Sequence, residues 1–357
     1  MARVGVVGAT GAVGRVLLDV LETRKFSVSE LVPFASGRSV GKEVRFAGKA
    51  WKCRPLEAGC FDGLDWVFFD ASDAVSRDWV PQAARAGAWV VDNSAAFRMD
   101  TDVPLLVPEL NGYLIDRAWK QVQEGSTEDA AHARILTGPN CSTVQLVMAL
   151  SPLHREFGMK RVIVSTYQSV SGAGAAAVEE LREQTSQALQ GNFTAPKVLS
   201  HRIALNCIPQ IGGFQADGFT SEEKKIREES RKILDLPSLR ISATAVRVPT
   251  EQCHGESVSV EFERPVSVER AREVLASQSG VRVLDSPADL VYPLGVVGPG
   301  DAVSPGAGSD PVWVGRIRLD PAWDSGLAFW IISDNLRKGA ALNAVQIAEA
   351  VLERKPR

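Results

Sequence analysis

The sequence predicts a two-domain α/β protein with a doubly wound parallel sheet in its first half. Three observations predict it. A β-branched N-terminal run breaks into a glycine-rich turn. Short apolar runs then alternate with helical patterns over the first 140 residues. Finally, a length of 357 residues suits two cores better than one, since domains usually hold roughly 100–200 residues. Lys plus Arg number 40 against 43 Asp plus Glu, so no basic excess points to nucleic acid or an anionic membrane. Small-molecule chemistry is the better expectation.

Residues 3–8 (RVGVVG) read as a strand, and residues 13–23 (VGRVLLDVLET) carry apolar positions at helical spacing. The turn between them contains Gly8, Thr10, Gly11, Ala12, Val13 and Gly14 in a GxxGxxG spacing. Glycines there let the backbone approach a pyrophosphate at the positive helix N-terminus, the cradle of a Rossmann-type domain. After a second strand, Leu31 to Ala35, dinucleotide-binding proteins selective for NAD offer a carboxylate to the ribose, whereas this chain offers Ser36-Gly37-Arg38-Ser39. With no carboxylate to repel a 2′-phosphate, and with Arg38 and Ser39 to hold one, NADP(H) is the expected cofactor. Trp66–Phe69 and Ala88–Asp92 continue the strand series around a helix near Arg77–Arg85. Tyr113 to Ala133 is polar and reads as a surface insertion.

Residues 135–151 run from a strand end through Gly-Pro-Asn into a strongly apolar helix, so Cys141 stands at a helix start, framed by Asn140, Ser142 and Thr143. Backbone N–H groups and the helix dipole favour a thiolate there and stabilise an oxyanion on a bound acyl group. The five cysteines form no tight pairing pattern, so disulfides are not expected and a reducing cytoplasm fits best. Cys53 and Cys60 lack a matching second pair, and Cys253 and His254, adjacent on a strand, point to opposite faces. No metal site is expected. The N-terminus lacks a long apolar core, and no apolar run approaches the roughly 20 residues that span a bilayer, so no membrane partner is expected.

The chain resembles the aspartate-semialdehyde dehydrogenase family through GATGAVG, ASGRSVGK, NSAAFR, GPNCST and SDNLRKGAALNAVQIAE, in the family's order and over nearly its whole length. The resemblance implies that Cys141 is the acylated nucleophile and His254 the acid/base. It implies phosphate-binding roles for Arg98 and Lys225 and a contact from Glu222 to the substrate amine. Lys224 and Glu223 stand as rivals on the same charged amphipathic stretch, Ser221 to Leu234. Arg247 would bind the substrate carboxylate, since its planar fork donates two parallel hydrogen bonds, and it lies seven residues before His254, as in the family. Asn140 and Gln168 join the substrate residues, while Ser171, Gly172 and Asn335 are implied cofactor contacts.

The implied architecture is an NADP-binding domain over residues 1–140, completed by the C-terminal helix within 331–357, and a C-terminal α+β catalytic and dimerisation domain over 141–330. A homodimer or dimer of dimers follows from the same resemblance. So does the reaction: NADPH-dependent, reversible reduction of L-aspartyl 4-phosphate to L-aspartate 4-semialdehyde and phosphate through a cysteine thioester, in lysine, threonine and methionine synthesis. A related acyl-phosphate reductase such as N-acetyl-glutamyl-phosphate reductase, and a silent NADP-binding paralogue, are the alternatives. Two departures are visible: Ala71-Ser72-Asp73-Ala74 replaces a glycine-containing turn, and Asp285 to Pro311 reads as a long surface loop.

Overall fold

The apolar runs of the first half become a five-stranded parallel sheet in the computed structural model, which describes residues 1–295 and 306–354. β1 (Ala2–Val7) leads through α1 (Ala12–Thr23) to β2 (Val28–Phe34), and the hairpin β3 (Glu43–Phe46) and β4 (Lys49–Lys52) follows. Next come β5 (Trp66–Phe69), α2 (Asp73–Arg85) and β6 (Trp89–Asp92). α3 (Pro108–Asn111), α4 (Leu114–Glu124) and α5 (Thr127–Ala133) precede β7 (Ile135–Thr137). Strand order is β2-β1-β5-β6-β7.

Strands buried on both faces need apolar residues at every position, and alternation deals them to two cores. Val4, Val6, Trp66, Phe68, Trp89 and Val91 pack with α1 on one face; Val67, Phe69 and Val90 pack on the other with Val80, Ala83 and Ala84 of α2. Ser72, in the departing turn, caps α2 by accepting a hydrogen bond from the Val75 N–H at 3.4 Å. Tyr113–Ala133 corrects the sequence reading of a surface insertion, because it forms α4 and α5 and α4 sends apolar side chains into the core. Ile115, Ala118, Trp119 and Val122 recur at helical spacing and join the core, and Trp119 stacks on Trp89 with centroids 5.8 Å apart. Sparse apolar positions in a polar stretch hid that stripe.

Two compact units emerge, Met1–Asn140 with Ala340–Arg357, and Cys141–Gly339. In the second, α6 (Cys141–Phe157) is apolar nearly all round and accordingly buried. β8 (Met159–Gln168), α7 (Ala175–Leu189), α8 (Ser221–Leu234), β9 (Arg240–Arg247), β10 (His254–Phe262) and α9 (Val268–Ser277) follow. β11 (Val281–Val283), β12 (Val312–Leu319) and β13 (Gly326–Ser333) complete a mixed sheet of order β11-β12-β13-β10-β8-β9. Along β8, Val162 and Val164 point inward while Ile163 and Tyr167 are exposed, and the Tyr167 ring lies 5.3 Å from that of Trp330.

Beyond β13 a π-helical turn, Arg337–Ala341, precedes α10 (Leu342–Leu352), whose Leu342, Val345 and Ile347 enter the core of the first unit with α1. β13 pairs with β10 as far as Ser333, and the chain rejoins the first unit from Ala340. In the 285–311 segment, residues 296–305 lie outside the described residues; its start is anchored by Asp285, which accepts hydrogen bonds from Arg272 Nη2 and the Arg316 N–H, both at 2.7 Å. Among the described residues, no helix is long and apolar enough to cross a membrane.

Candidate active site

In the first unit the glycine turn closes only without side chains. Gly8 has φ +87°, and a Cβ there would stand 2.1 Å from the Asp70 carbonyl oxygen. At Gly14 a Cβ would stand 2.3 Å from the Gly8 carbonyl oxygen, which itself accepts the Gly11 N–H at 2.8 Å. Asp70 lies beneath the turn, where burial pushes its pKa up to about 7 against the opposing Gly14 N–H. The turn therefore leaves a backbone cradle that fits a pyrophosphate.

Beside this turn, Thr10 and Ser39 line a cleft of about 430 Å³ with the cations Arg15, Lys42 and Arg45 and the carboxylates Asp19 and Glu43. Arg38 is exposed on the 3-10 turn Gly37–Ser39. The three further cations escaped sequence reading, although Lys42 belongs to the same segment as Arg38 and Arg15 follows Gly11 by one helical turn. Ala12 and Val13 open α1 as expected. Arg98 is buried in this unit, donating from Nε to the Gly138 carbonyl at 2.8 Å and from Nη2 to the Asn93 carbonyl at 2.5 Å. Asn140, also buried, is the last residue before the second unit begins.

The remaining candidates gather in the second unit. Cys141 is the first residue of α6, with Gly339 packed so close that a Cβ there would lie 2.9 Å from the Cys141 Cβ. His254 opens β10 and pairs in register with Gln168 at the end of β8, whose other neighbour in the sheet is Arg247 at the end of β9. Three strand ends thus deliver three polar side chains to one place. Cys141 and Glu222 both lie close enough to Arg247 to favour its charge, against the burial that lowers its pKa.

Ser169, which sequence reading missed, orients two of these groups. Its N–H donates to His254 Nδ1 at 3.1 Å, and its carbonyl accepts from Arg247 Nη1 at 2.7 Å. With Nδ1 accepting, the neutral ring carries its proton on Nε2, which has no partner among the described residues. Burial first, and the Arg247 charge second, hold the His254 pKa down to about 3, so the ring is neutral at ordinary pH. Gly172 keeps the approach to Nε2 open: a Cβ there would stand 3.3 Å from Nε2 and 3.2 Å from Arg247 Nη1.

α8 separates its rival charges by role. Glu223 completes a capping box with Thr220 and accepts the Ala245 N–H at 2.9 Å, so it is consumed by the fold. Glu222 accepts from Gln168 Nε2 at 3.2 Å and from Lys225 Nζ at 3.4 Å, whereas Lys224 is exposed. Asn335 accepts the Cys253 N–H at 2.9 Å and donates to Ser171 Oγ at 2.9 Å, tying the chain beside His254 to the Ser171 loop. Cys253 itself is buried with φ +71°, a left-handed backbone that a non-glycine residue rarely adopts and that turns His254 into its strand. Among the described residues, no three His, Cys, Asp or Glu side chains gather to hold a metal.

A parallel sheet with a glycine cradle, and a separate cluster of thiol, neutral imidazole and charges of both signs, suit a nucleotide-dependent dehydrogenase. Two family models agree: the NAD binding domain of semialdehyde dehydrogenases over residues 3–118, and their dimerisation domain over residues 150–338. Aspartate-semialdehyde dehydrogenase of Aquifex aeolicus is 45% identical over 354 residues, covering 98% of each chain. The crystal structure of aspartate semialdehyde dehydrogenase II from Vibrio cholerae, complexed with ASA, superimposes with a TM-score of 0.90 at 39% identity, covering 100% of this chain and 99% of that one. The aspartate semialdehyde dehydrogenase of Candida albicans, solved with NADP, gives 0.72 at 25% identity, covering 99% and 98%. The chain belongs to the aspartate-semialdehyde dehydrogenase family.

Proposed function

We propose that the protein reduces L-aspartyl 4-phosphate to L-aspartate 4-semialdehyde and phosphate, reversibly and with NADPH, supplying a precursor of lysine, threonine and methionine. The observation that carries the reading is the gathering of Cys141, Gln168, Glu222, Lys225, Arg247 and His254 at the strand and helix ends of one unit. A substrate with an ammonium, a carboxylate and an acyl phosphate needs both charge signs around a nucleophile. Glu222 takes the ammonium, Arg247 the carboxylate, and Lys225 the phosphate oxygens.

The Cys141 thiolate attacks the acyl carbon; the C–S bond forms as the C–O bond to phosphate breaks, leaving a thioester. When bound, the nicotinamide supplies the hydride. His254 holds its Nε2 proton toward the acyl oxygen as that oxygen gains charge, and Ser169 fixes the ring so that this nitrogen faces the substrate. Collapse of the hemithioacetal then re-forms the carbonyl and releases the thiolate.

Preference for NADP is supported by Arg38 and Ser39 in place of a carboxylate, and by Arg15 and Lys42 along the same cleft. A homodimer is supported by the dimerisation-domain match and by Ile163, Tyr167 and Trp330 on the open face of the mixed sheet. None of Cys53, Cys60, Cys141, Cys207 and Cys253 is disulfide-bonded, which suits a reducing cytoplasm. The test is NADP reduction by the purified protein with L-aspartate 4-semialdehyde, with and without phosphate. Phosphate-dependent NADPH formation is expected; activity only on a longer acyl phosphate would transfer the assignment to that substrate.

A further inference from the structure

Behind the thiol and the imidazole lies a second polar pair that the chemistry above does not use. Gln145 follows Cys141 by four residues on α6, one helical turn deeper, and Glu256 follows His254 by two residues on β10, on the same face of the strand. Both are sealed from solvent, at 1% and 0% exposure. Neither oxygen of Glu256 and neither polar atom of the Gln145 amide reaches a partner at hydrogen-bond distance among the described residues. No ion pair of the described residues reaches Glu256, and burial pushes its pKa up to about 8, opposed only by the neighbouring Gln145 amide. An unpaired carboxylate in such a place is strongly disfavoured.

A neutral carboxylic acid and a carboxamide are complementary. The acid O–H donates to the amide oxygen while the acid carbonyl accepts from the amide nitrogen, so one cyclic pair satisfies all four orphaned heavy atoms without any net charge. Around it α6 presents Val144, Leu146, Val147 and Met148, whose apolar contacts are non-directional and set no register by themselves. A directional pair does.

We propose that neutral Glu256 and Gln145 form this cyclic acid–amide pair and act as positioning residues, bracing the first turns of the Cys141 helix against the His254 strand. The proposal rests on Cys141 and His254 being the reacting groups, but the brace itself can be read without turnover. Infrared spectra of the full-length enzyme should carry a protonated-carboxyl stretch that disappears in Glu256→Gln. Alkylation of Cys141 by iodoacetamide, followed on its own peptide, and kcat and KM are measured beside it.

Glu256→Leu and Gln145→Leu each strand the partner, so kcat and the Cys141 alkylation rate should fall about tenfold or more while KM moves less than about threefold. Glu256→Gln restores an amide–amide pair and should rescue most of that loss with an unshifted pH profile. The Gln145→Leu/Glu256→Leu double variant should lose less than the product of the single losses. If a single leucine variant does not fold, the infrared band and the Glu256→Gln profile decide. Absence of the band, a shifted pH profile in Glu256→Gln, or multiplicative losses would each overturn the brace. If the enzyme is inactive on L-aspartate 4-semialdehyde, the functional assignment fails while the band and the alkylation rates still judge the brace.

Discussion

The glycine turn of the first unit is built from backbone and the charged cluster of the second from buried side chains. In the first unit, Gly8, Gly11 and Gly14 shape a tight backbone turn that has no room for side chains, and nearby cations, such as Arg38, stand in or near solvent. In the second, Arg247 and Glu222 are nearly buried and His254 fully so, each oriented by neighbours that include a single serine backbone, a capping helix and three strand ends. The first arrangement depends on what a residue lacks, the second on what surrounds it. Perturbation should therefore divide them: steric and screened, moderate effects in the first unit, chemical and large ones in the second.

Cys141→Ala should break the comparison most severely, removing on the order of 10⁴-fold or more of kcat while NADPH binding, measured by fluorescence titration, is unchanged. Substantial turnover in a clean preparation would take the nucleophile role from Cys141. Arg247→Lys tests whether burial makes a single fork indispensable: KM for L-aspartate 4-semialdehyde should rise roughly 100-fold, because a point charge cannot bond the Ser169 carbonyl and a carboxylate together as the planar guanidinium does. A change below about threefold would place the substrate carboxylate elsewhere.

Gly8→Ala probes the opposite design, where a methyl group meets the Asp70 carbonyl oxygen and φ is +87°. Thermal unfolding should show a loss of about 2 kcal/mol or more, with NADPH affinity reduced as well. Removing exposed charge should do less. Arg38→Ala with Ser39→Ala is expected to raise KM for NADP about tenfold and leave that for NAD nearly unchanged; equal effects on both cofactors would detach these residues from the 2′-phosphate.

A further effect concerns pH. In the unfolded chain His254 titrates near pH 6.5, but in the folded protein only near 3. Between those values the unfolded chain holds a proton that the folded protein does not, so acidification through this window costs stability, by at most about 1.4 kcal/mol per pH unit. His254→Gln should flatten the fall in melting temperature between pH 6.5 and 4; parallel curves for the two proteins would mean that the ring accepts a proton in place.

Most of the first unit was legible because its signals are local. A glycine turn between a strand and a helix needs only consecutive residues, and parallel strands buried on both faces announce themselves as apolar runs. α4 was missed for the same reason, since its stripe of Ile115, Ala118, Trp119 and Val122 is thin among polar residues and gains meaning only against Trp89. In the second unit, a charged helix over Ser221–Leu234 could be read, yet the choice between Glu222 and Glu223 could not. That choice follows from the capping box, which commits Glu223 to the backbone of Thr220 and Ala245. Ser169 carried no motif of its own, and nothing in the order of residues reveals that its N–H and carbonyl meet two side chains about 80 positions away.

The amino-acid sequence alone thus specified the layered α/β plan, the nucleotide turn, the thiol at a helix start and the family. Each of these is encoded by neighbours along the chain, through backbone conformation, periodicity and helix-end electrostatics. Folding decided which carboxylate of α8 turns to Gln168, which imidazole nitrogen carries the proton, and that Gln145 and Glu256 are enclosed together. Those outcomes depend on desolvation and hydrogen bonds between residues distant in sequence, and such energies exist only once the strands and helices have been packed.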